Sequence, residues 1–126
     1  DMFKCAVGVA GVYDLELIFD EGDVASRRAG TSYLKDVLGQ DEAVLKAMSP
    51  SENVNKLKAN LLLVHGGEDA RAPIEQLESL EKALKAHQYP YQKLVMDNEG
   101  HGFYNDEHRA KYYEKMLSFL KTNLTL

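Results

Sequence analysis

Three short segments, at residues 3–12, 60–65 and 91–96, concentrate the apolar and β-branched side chains of this chain. The first two read as continuous apolar runs rather than as alternations of apolar and polar positions. A strand that is covered on both faces of a parallel sheet has this continuous pattern, whereas a strand with one wet face alternates. The pattern therefore predicts three strands, of which the first two are buried on both faces.

A second periodicity, in steps of three and four residues, marks two amphipathic helices. The clearer one covers residues 74–87, where Pro73 stands at the entrance and one face carries leucines at positions 77, 80 and 84. The last helix covers residues 106–120, and its predicted buried side consists of Tyr113, Met116, Leu117 and Leu120. Because such helices bury one stripe against a neighbour, we expect both to pack on the strands.

The segment between the first two strands is polar and irregular. We predict a loop-rich excursion at residues 21–40 with one helix at 25–38, followed by a short helix at 41–48 that Asp41 caps and Pro50 ends. The order strand, insert, strand, helix, strand, helix is typical of an α/β protein with a parallel sheet. So small a parallel sheet leaves its first strand uncovered, so we expect neighbouring strands to be missing from this sequence.

The composition restricts the class of protein. The 126 residues are enough for one domain, and the hydrophobic fraction of 44% and charged fraction of 28% are ordinary for a globular chain. The formal net charge of −5 argues against a nucleic-acid partner, which would require a basic face. No apolar run approaches the roughly 20 residues that cross a bilayer, so no membrane partner is predicted.

The cysteine content and the first residues bear on compartment and completeness. The single cysteine, Cys5, excludes an internal disulfide and favours a reducing, cytoplasmic compartment. We interpret it as a small buried hydrophobe at the head of the first strand. The chain begins with neither an initiator methionine nor a signal peptide, and we expect it to be part of a longer protein.

Ionisable side chains follow the second and third strands at the points where they end. Residues 66–69 read G-G-E-D, and residues 100–102 read G-H-G. The carboxyl ends of parallel strands meet at one edge of a sheet, so we expect Asp69 and His101 to lie close together. An acid that orients a histidine ring supports general-base catalysis.

Each of these two residues also has a plain structural interpretation. An aspartate after a strand is often a turn former, and a histidine between glycines often only marks a turn. Their order, acid and then histidine, with one helix and one strand between them, favours a catalytic pair. A metal site at His65, Asp69 and His101 is disfavoured because these residues offer too few ligands at a recognised spacing, and no cofactor is predicted.

These motifs resemble those of a known family. The patterns H-G-x-x-D-x-x-x-P at residues 65–73, G-H-G-F at 100–103 and M-S-P-S at 48–51 are similar to the C-terminal part of serine peptidases of the prolyl oligopeptidase family. The acylaminoacyl-peptidase and dipeptidyl-peptidase branch is the most similar. The resemblance spans nearly the whole chain. It implies the C-terminal part of an α/β-hydrolase fold, with Asp69 as the triad acid and His101 as the triad base.

The serine that such a triad needs is not recognisable in this sequence. An α/β-hydrolase presents it in a G-x-S-x-G turn upstream of the acid, and no such motif occurs. The nearest match, at residues 30–34, has Leu34 in place of the second glycine, so Ser32 is interpreted as an ordinary loop residue. We therefore expect the nucleophile upstream of Asp1 and residues 1–126 to form a partial catalytic domain.

The other notable side chains near these loops are given supporting roles. His65 is expected to support the loop that carries Asp69. Glu68 is expected to be a solvated acid, and Arg71 a surface charge or a loop-stabilising partner. Phe103 and Tyr104 are expected to pack rather than to contact a substrate.

The predicted function is to supply the acid and the base of a serine hydrolase, most simply a peptidase that acts on peptide or acyl substrates. The isolated chain is expected to be inactive. An esterase is an alternative because a triad does not distinguish amides from esters, and a non-catalytic fragment that acts by association is another. The uncovered first strand predicts a homo-oligomer with Phe3, Val7 and Val9 at the interface.

Overall fold

The computed structural model describes residues 2–124 and contains a three-stranded parallel sheet in the order β1-β2-β3. The strands are β1 (Cys5–Val9), β2 (Asn60–Gly66) and β3 (Tyr91–Met96). The central strand β2 is buried at every position except its first. The predicted parallel α/β architecture is confirmed, and β2 is buried on both faces as its continuous apolar run predicts. The same prediction is wrong for β1, which is partly buried and has exposed side chains at Ala6 and Val9.

Within the described residues, four α-helices accompany the sheet. They are α1 (Arg28–Leu38), α2 (Glu42–Met48), α3 (Ile74–Ala86) and α4 (Asp106–Leu124), and two 3₁₀ segments lie at Leu17–Phe19 and Pro50–Lys56. Asp41 caps α2 as predicted, since its carboxylate accepts from the backbone N–H groups of Ala43 and Val44. No helix within residues 2–124 combines the length and the apolar character that crossing a bilayer requires.

The two faces of the sheet are covered by different helices. On one face, leucines of α3 pack with Leu61 and Leu63 of β2 and with Val54. On the other face, Phe119 of α4 packs on Leu62 and Val64. Side chains such as Leu62 are completely buried, which stabilises the fold by about 1.5–3 kcal/mol each. Because successive side chains of β2 point to opposite faces, this one strand contributes residues to both hydrophobic cores.

Helix α3 ends in a Schellman motif that turns the chain into β3. Gln88 takes the left-handed conformation with φ of +52°, the N–H of Tyr89 donates to the carbonyl of Leu84 at 2.8 Å, and that of Gln88 donates to Lys85 at 3.0 Å. These bonds satisfy carbonyls at the end of the helix. The turn fixes where β3 begins, and hence where its carboxyl end meets that of β2.

Strand β1 is shorter than the predicted residues 3–12. It ends at Val9 because Ala10 adopts a φ of +48°, which is outside the extended region. Phe3 lies before the strand and is 68% exposed. Cys5 is only partly buried against the Leu62 side of the sheet, rather than buried as predicted.

The predicted buried side of α4 is partly wrong. Tyr113 and Leu117 are 51% and 62% exposed, whereas Phe119 is almost completely buried. The row that faces the sheet runs through Tyr112, Met116 and Phe119, at helical spacing. Tyr113 and Leu117 form the adjacent row of the same helix, one residue further along, so the helix is rotated slightly from the predicted orientation.

Candidate active site

The loop after β2 approaches the loop after β3 so closely that glycine is required. A Cβ on Gly66 would lie 2.2 Å from the carbonyl oxygen of Gly100, and a Cβ on Gly67 would lie 2.6 Å from that of Asp97. Both distances are shorter than any real contact of this kind. The N–H of Gly67 donates to the carbonyl of Met96 at 2.9 Å. The two glycines therefore allow the carboxyl ends of β2 and β3 to remain bonded beyond the sheet.

Asp69 is buried and held by its own turn. Its Oδ1 accepts from the backbone N–H groups of Arg71 and Ala72, both at 2.9 Å. An aspartate that bonds to the backbone two and three residues ahead forms an Asx-type turn. The bonds fix the direction of the carboxylate, and they leave Oδ2 facing the neighbouring loop.

His101 meets this carboxylate from the loop after β3. Its Nδ1 lies 2.9 Å from Oδ2 and 3.1 Å from Oδ1 of Asp69. A carboxylate oxygen accepts, so the bond requires the proton on Nδ1 and leaves a lone pair on Nε2 of the neutral ring. The His101 side chain is 53% exposed, and Nε2 makes no hydrogen bond within residues 2–124. The geometry thus joins a buried acid to a histidine whose far nitrogen is open.

His65 lies beneath the Asp69 turn and is completely buried. Its Nε2 donates to the carbonyl of Ala72 at 2.7 Å, and lies 3.8 Å from Oδ2 of Asp69. Its Nδ1 has no hydrogen-bond partner among the described residues. His65 therefore contacts the loop that it was expected to support.

Arg71 ties the polar insert to the Asp69 turn. Its guanidinium donates from Nε and one Nη to the two carboxylate oxygens of Asp23, at 2.7 and 2.9 Å. These hydrogen bonds hold the pKa of the Asp23 carboxyl below its ordinary value. The N–H of Asp23 also donates to the carbonyl of Ala70 at 2.7 Å. Of the two roles considered for Arg71, the structure shows the loop partner.

Glu99 occupies a position whose importance the sequence did not indicate. It is 5% exposed, and its carboxylate accepts from the backbone N–H groups of Tyr104 and Asn105 and from Nδ1 of His108. The two backbone bonds lower the pKa of the Glu99 carboxyl below its ordinary value of 4.5. The available signal was an acid immediately before the G-H-G tripeptide and six residues before an asparagine that caps a helix.

Other candidate residues lie outside the contact between Asp69 and His101. Glu68 is exposed, as predicted, and Phe103 packs edge-to-face on Tyr112 with ring centroids 5.8 Å apart. Tyr104 is 82% exposed, so the prediction that it packs is wrong. Ser32 lies on the exposed surface of α1 rather than in a loop.

A cavity of about 160 Å³ opens beside His101. Its walls combine the end of β1, the His101 loop and the first turns of α4, and they include Val9, Ala10, Gly100, Phe103, Tyr112 and Tyr113. The cavity is largely apolar, with His101 and Arg109 among its polar groups. Within residues 2–124, no group of three His, Cys, Asp or Glu side chains is placed to hold a metal ion.

Comparison with known proteins gives consistent matches. The sequence profile of the prolyl oligopeptidase family matches residues 1–126. A puromycin-hydrolyzing peptidase of Mycobacterium tuberculosis is 26% identical with a TM-score of 0.86, over 98% of this chain and 19% of that one. The acylaminoacyl peptidase of Pyrococcus horikoshii is 24% identical with a TM-score of 0.86, over 96% of this chain and 20% of that one.

A third match and the coverage define what is shared. Dipeptidyl peptidase 4 of Porphyromonas gingivalis is 22% identical with a TM-score of 0.78, over 96% of this chain and 16% of that one. The chain therefore spans 16–20% of the length of these solved structures. Its three parallel strands and flanking helices have the α/β-hydrolase fold of its structural neighbours. The profile match over the whole sequence and the shared fold identify the chain as a member of the prolyl oligopeptidase family and as part of a serine peptidase-like catalytic domain.

Proposed function

We propose that Asp69 and His101 are the acid and the base of a Ser-His-Asp triad that hydrolyses peptide bonds. The observation that carries the proposal is the bond between Nδ1 of His101 and the buried carboxylate of Asp69, with Nε2 left open. This is the arrangement in which an acid fixes the histidine tautomer and stabilises the imidazolium that forms. Both residues lie at the carboxyl edge of the sheet, where α/β proteins place their sites.

The chemistry then follows from the two nitrogens of His101. Nε2 takes the proton of the serine hydroxyl as its oxygen attacks the acyl carbonyl, and returns this proton to the leaving amine. A water molecule repeats the sequence on the acyl-enzyme, so that the acid product leaves and the serine regains its proton. Asp69 accepts the hydrogen bond from Nδ1–H in both halves of the cycle. The proton therefore stays on His101, and Asp69 does not become protonated.

The serine is proposed to come from a segment outside these 126 residues, because the sequence has no G-x-S-x-G motif. The cavity beside His101 supports this assignment. It borders the end of β1, one of the two outer strands of the sheet, and it leaves space next to His101. A strand paired with β1 would deliver a turn into this space, since parallel strands end at the same edge.

The substrate class proposed is a peptide or an acylated peptide. The structures similar to this chain are named as an acylaminoacyl peptidase and a puromycin-hydrolyzing peptidase. An esterase remains the alternative, because the same acid and base serve an ester carbonyl equally well. Comparing amide and ester substrates that share one acyl group would separate these two functions.

We further propose that the outer edge of β1 is a pairing surface. Within residues 2–124, β1 pairs only with β2, and Val9 is 46% exposed. An unpaired edge with apolar side chains is a template for another strand. In the intact hydrolase the partner is the strand before the nucleophile, and in the isolated chain it is β1 of a second copy.

Labelling with a fluorophosphonate, which reacts with an activated serine, tests the proposed triad. The 126-residue chain is expected to remain unlabelled, while the intact hydrolase is labelled at a serine outside this sequence. In the intact protein, His101→Ala is expected to slow labelling by several orders of magnitude, because the serine loses its base. Stoichiometric labelling of the isolated chain would overturn the proposal. Equal labelling rates in the intact wild type and in intact His101→Ala would overturn it too.

A further inference from the structure

We propose that Glu99 is a positioning residue that fixes His101 against Asp69 by closing the loop that carries the histidine. The inference rests on the proposed function, in which His101 is the base. It assigns to a buried glutamate a role in catalysis that involves no contact with the reacting atoms. The role follows from two sets of hydrogen bonds: those of the Glu99 main chain at the start of the loop, and those of its side chain to the end of the loop.

The carboxylate of Glu99 spans the His101 loop from one end to the other. Oε2 accepts from the N–H of Tyr104 at 3.0 Å, and Oε1 accepts from the N–H of Asn105 at 2.9 Å. His101 lies between the start of this loop at Glu99 and its end at Asn105. The two bonds therefore convert an open stretch of chain into a ring closed by a side chain, and so restrict the backbone on both sides of His101.

The backbone of Glu99 attaches the same ring to the loop that carries the acid. Its carbonyl accepts from the N–H of Glu68 at 2.9 Å, and its own N–H donates to the carbonyl of Met96 at 3.1 Å. Its carbonyl also lies where a Cβ on Gly66 would be only 2.3 Å away. Glu99 is thus fixed next to Asp69 by its main chain, while its side chain holds the far end of the histidine loop.

The far end is in turn fixed to α4. The side chain of Asn105 accepts from the N–H groups of Glu107 and His108, which caps the helix. The Nδ1 of His108, on the first turn of α4, lies 2.8 Å from Oε1 of Glu99 and donates to it. Three donors therefore converge on one carboxylate, and they account for the lowered pKa of Glu99. The loop that carries His101 is held at the sheet, at the acid loop and at the helix.

Glu81 provides the comparison that separates positioning from general stability. It is a glutamate of α3 that is 6% exposed, and it accepts from Lys93 at 2.9 Å and from the hydroxyl of Tyr91. Both partners lie in the first half of β3, away from the carboxyl edge where His101 lies. Loss of either glutamate leaves donors unpaired and destabilises the fold. Only loss of Glu99 frees the histidine loop.

The first test uses the 126-residue chain and the imidazole N–H resonance of His101 measured by NMR. In the wild type, the Nδ1 proton bonded to Asp69 is expected to give a downfield, slowly exchanging signal, which Asp69→Asn identifies by its loss. Glu99→Ala is expected to abolish this signal or to raise its exchange rate at least about tenfold, the change that loss of one hydrogen bond produces in an equilibrium constant. Glu81→Ala is expected to leave it unchanged.

Glu99→Gln covers the case in which Glu99→Ala does not fold. The amide keeps one acceptor oxygen but turns an NH₂ group towards the second backbone donor, so one of the two closing bonds is lost. Its His101 signal is expected to exchange faster than that of Glu81→Gln. A His101 signal that is unchanged in Glu99→Gln overturns the proposal, whatever the effect on stability.

The second test measures turnover in the intact hydrolase. Glu99→Gln is expected to lower kcat by about 10 to 100-fold with KM changed less than about threefold, because misplacing the base by about 1 Å costs this much. Glu81→Gln is expected to leave both constants within about threefold of the wild type. Equal losses in the two variants would overturn the proposal. Suppose that Glu99→Gln speeds exchange of the His101 Nδ1 proton but Asp69→Asn has wild-type turnover. The triad assignment then fails, while the structural role of Glu99 stands.

Discussion

The carboxyl edge of β2 and β3 and the outer edge of β1 differ in how completely their polar groups are satisfied. At the carboxyl edge, the two loops bond to each other, and Asp69 and Glu99 each accept several hydrogen bonds. At the outer edge, β1 has no second neighbour among residues 2–124, and Phe3 and Val9 are exposed. One region is closed by its own residues, and the other is open for a partner strand.

This difference indicates how the proposed triad is divided. The proposed acid and base, Asp69 and His101, lie in the closed region, and their contact forms within this chain alone. The proposed nucleophile would enter at the open region, where there is space beside Val9 and Ala10. Preorganised donors and acceptors cost no rearrangement during the reaction, which explains why the acid–base half is so tightly bonded. Changes to the two edges should therefore have different consequences.

The largest effect is expected from adding one methyl group to the closed edge. Gly66→Ala puts a Cβ into backbone oxygens of Gly100 and Glu99, and backbone cannot move aside as a flexible side chain does. We expect a loss of about 3 kcal/mol or more in the free energy of unfolding, with loss of the contact between His101 and Asp69. Chemical denaturation and NMR measure the two effects.

Gly100→Ala is the matched control for this substitution. Within residues 2–124, and apart from its two chain neighbours, its Cβ would have one atom within 4 Å, the carbonyl oxygen of Glu68 at 3.8 Å. We expect its free energy of unfolding to change by less than about 1 kcal/mol. Equal tolerance of alanine at both positions would show that the two loops are not packed as described.

A charged side chain on β1 tests whether its outer edge pairs with a second copy of the chain. Val9→Lys is expected to raise the dissociation constant of the proposed homodimer of the isolated chain at least about tenfold, because a charged side chain on an edge strand opposes pairing. Val37→Lys, at an exposed position of α1, is the control and should leave association unchanged. Analytical ultracentrifugation gives both constants. A wild-type chain that stays monomeric at micromolar concentration, or a dimer that tolerates Val9→Lys, would contradict pairing through this edge.

The smallest effect concerns acid stability of the closed edge. Because the folded-state pKa of Glu99 is lowered, its contribution to stability is fully present above its ordinary value of 4.5 and is lost as the pH falls through the lower folded value. The free energies of unfolding of wild type and Glu99→Gln should therefore approach each other as the pH falls below about 4.5. Asp23 and Glu81 also have lowered pKa values but are present in both proteins, so the difference isolates Glu99. A stability difference between wild type and Glu99→Gln that is the same at neutral and acidic pH would argue against a stabilising role of the ionised Glu99 carboxylate.

The sequence predicts the elements well where one physical signal dominates. The apolar run of β2 is buried on both faces, and the leucines of α3 face the core, both as expected. In α4, however, two adjacent rows are both apolar, and periodicity alone does not determine which one faces the sheet. The structure selects the row of Met116 and Phe119 and leaves Leu117 exposed. The end of β1 was also misplaced, since a φ of +48° at Ala10 has no signature in an alanine.

The same distinction applies to the site. Asp69 and His101 were predicted to lie close together because residue type, glycine neighbours and chain order all pointed to one edge of the sheet. The sequence does not single out Glu99, because its partners include backbone N–H groups, which any residue except proline would supply at positions 104 and 105. Main-chain donors leave no pattern of residue types, and the position of the acid next to G-H-G is only a weak signal. These hydrogen bonds become visible only when the loop is folded.

The most direct test of the central claim is the turnover number of the intact hydrolase with His101→Ala. Loss of the general base is expected to lower kcat about a thousandfold or more, with a large but somewhat smaller loss in Asp69→Asn. His87→Ala is the control, because His87 is exposed at the end of α3 and, among residues 2–124, its hydrogen bonds go only to its own helix. The account predicts that His87→Ala retains wild-type kcat while His101→Ala does not. Turnover near the wild-type value in His101→Ala would contradict the assignment of the base.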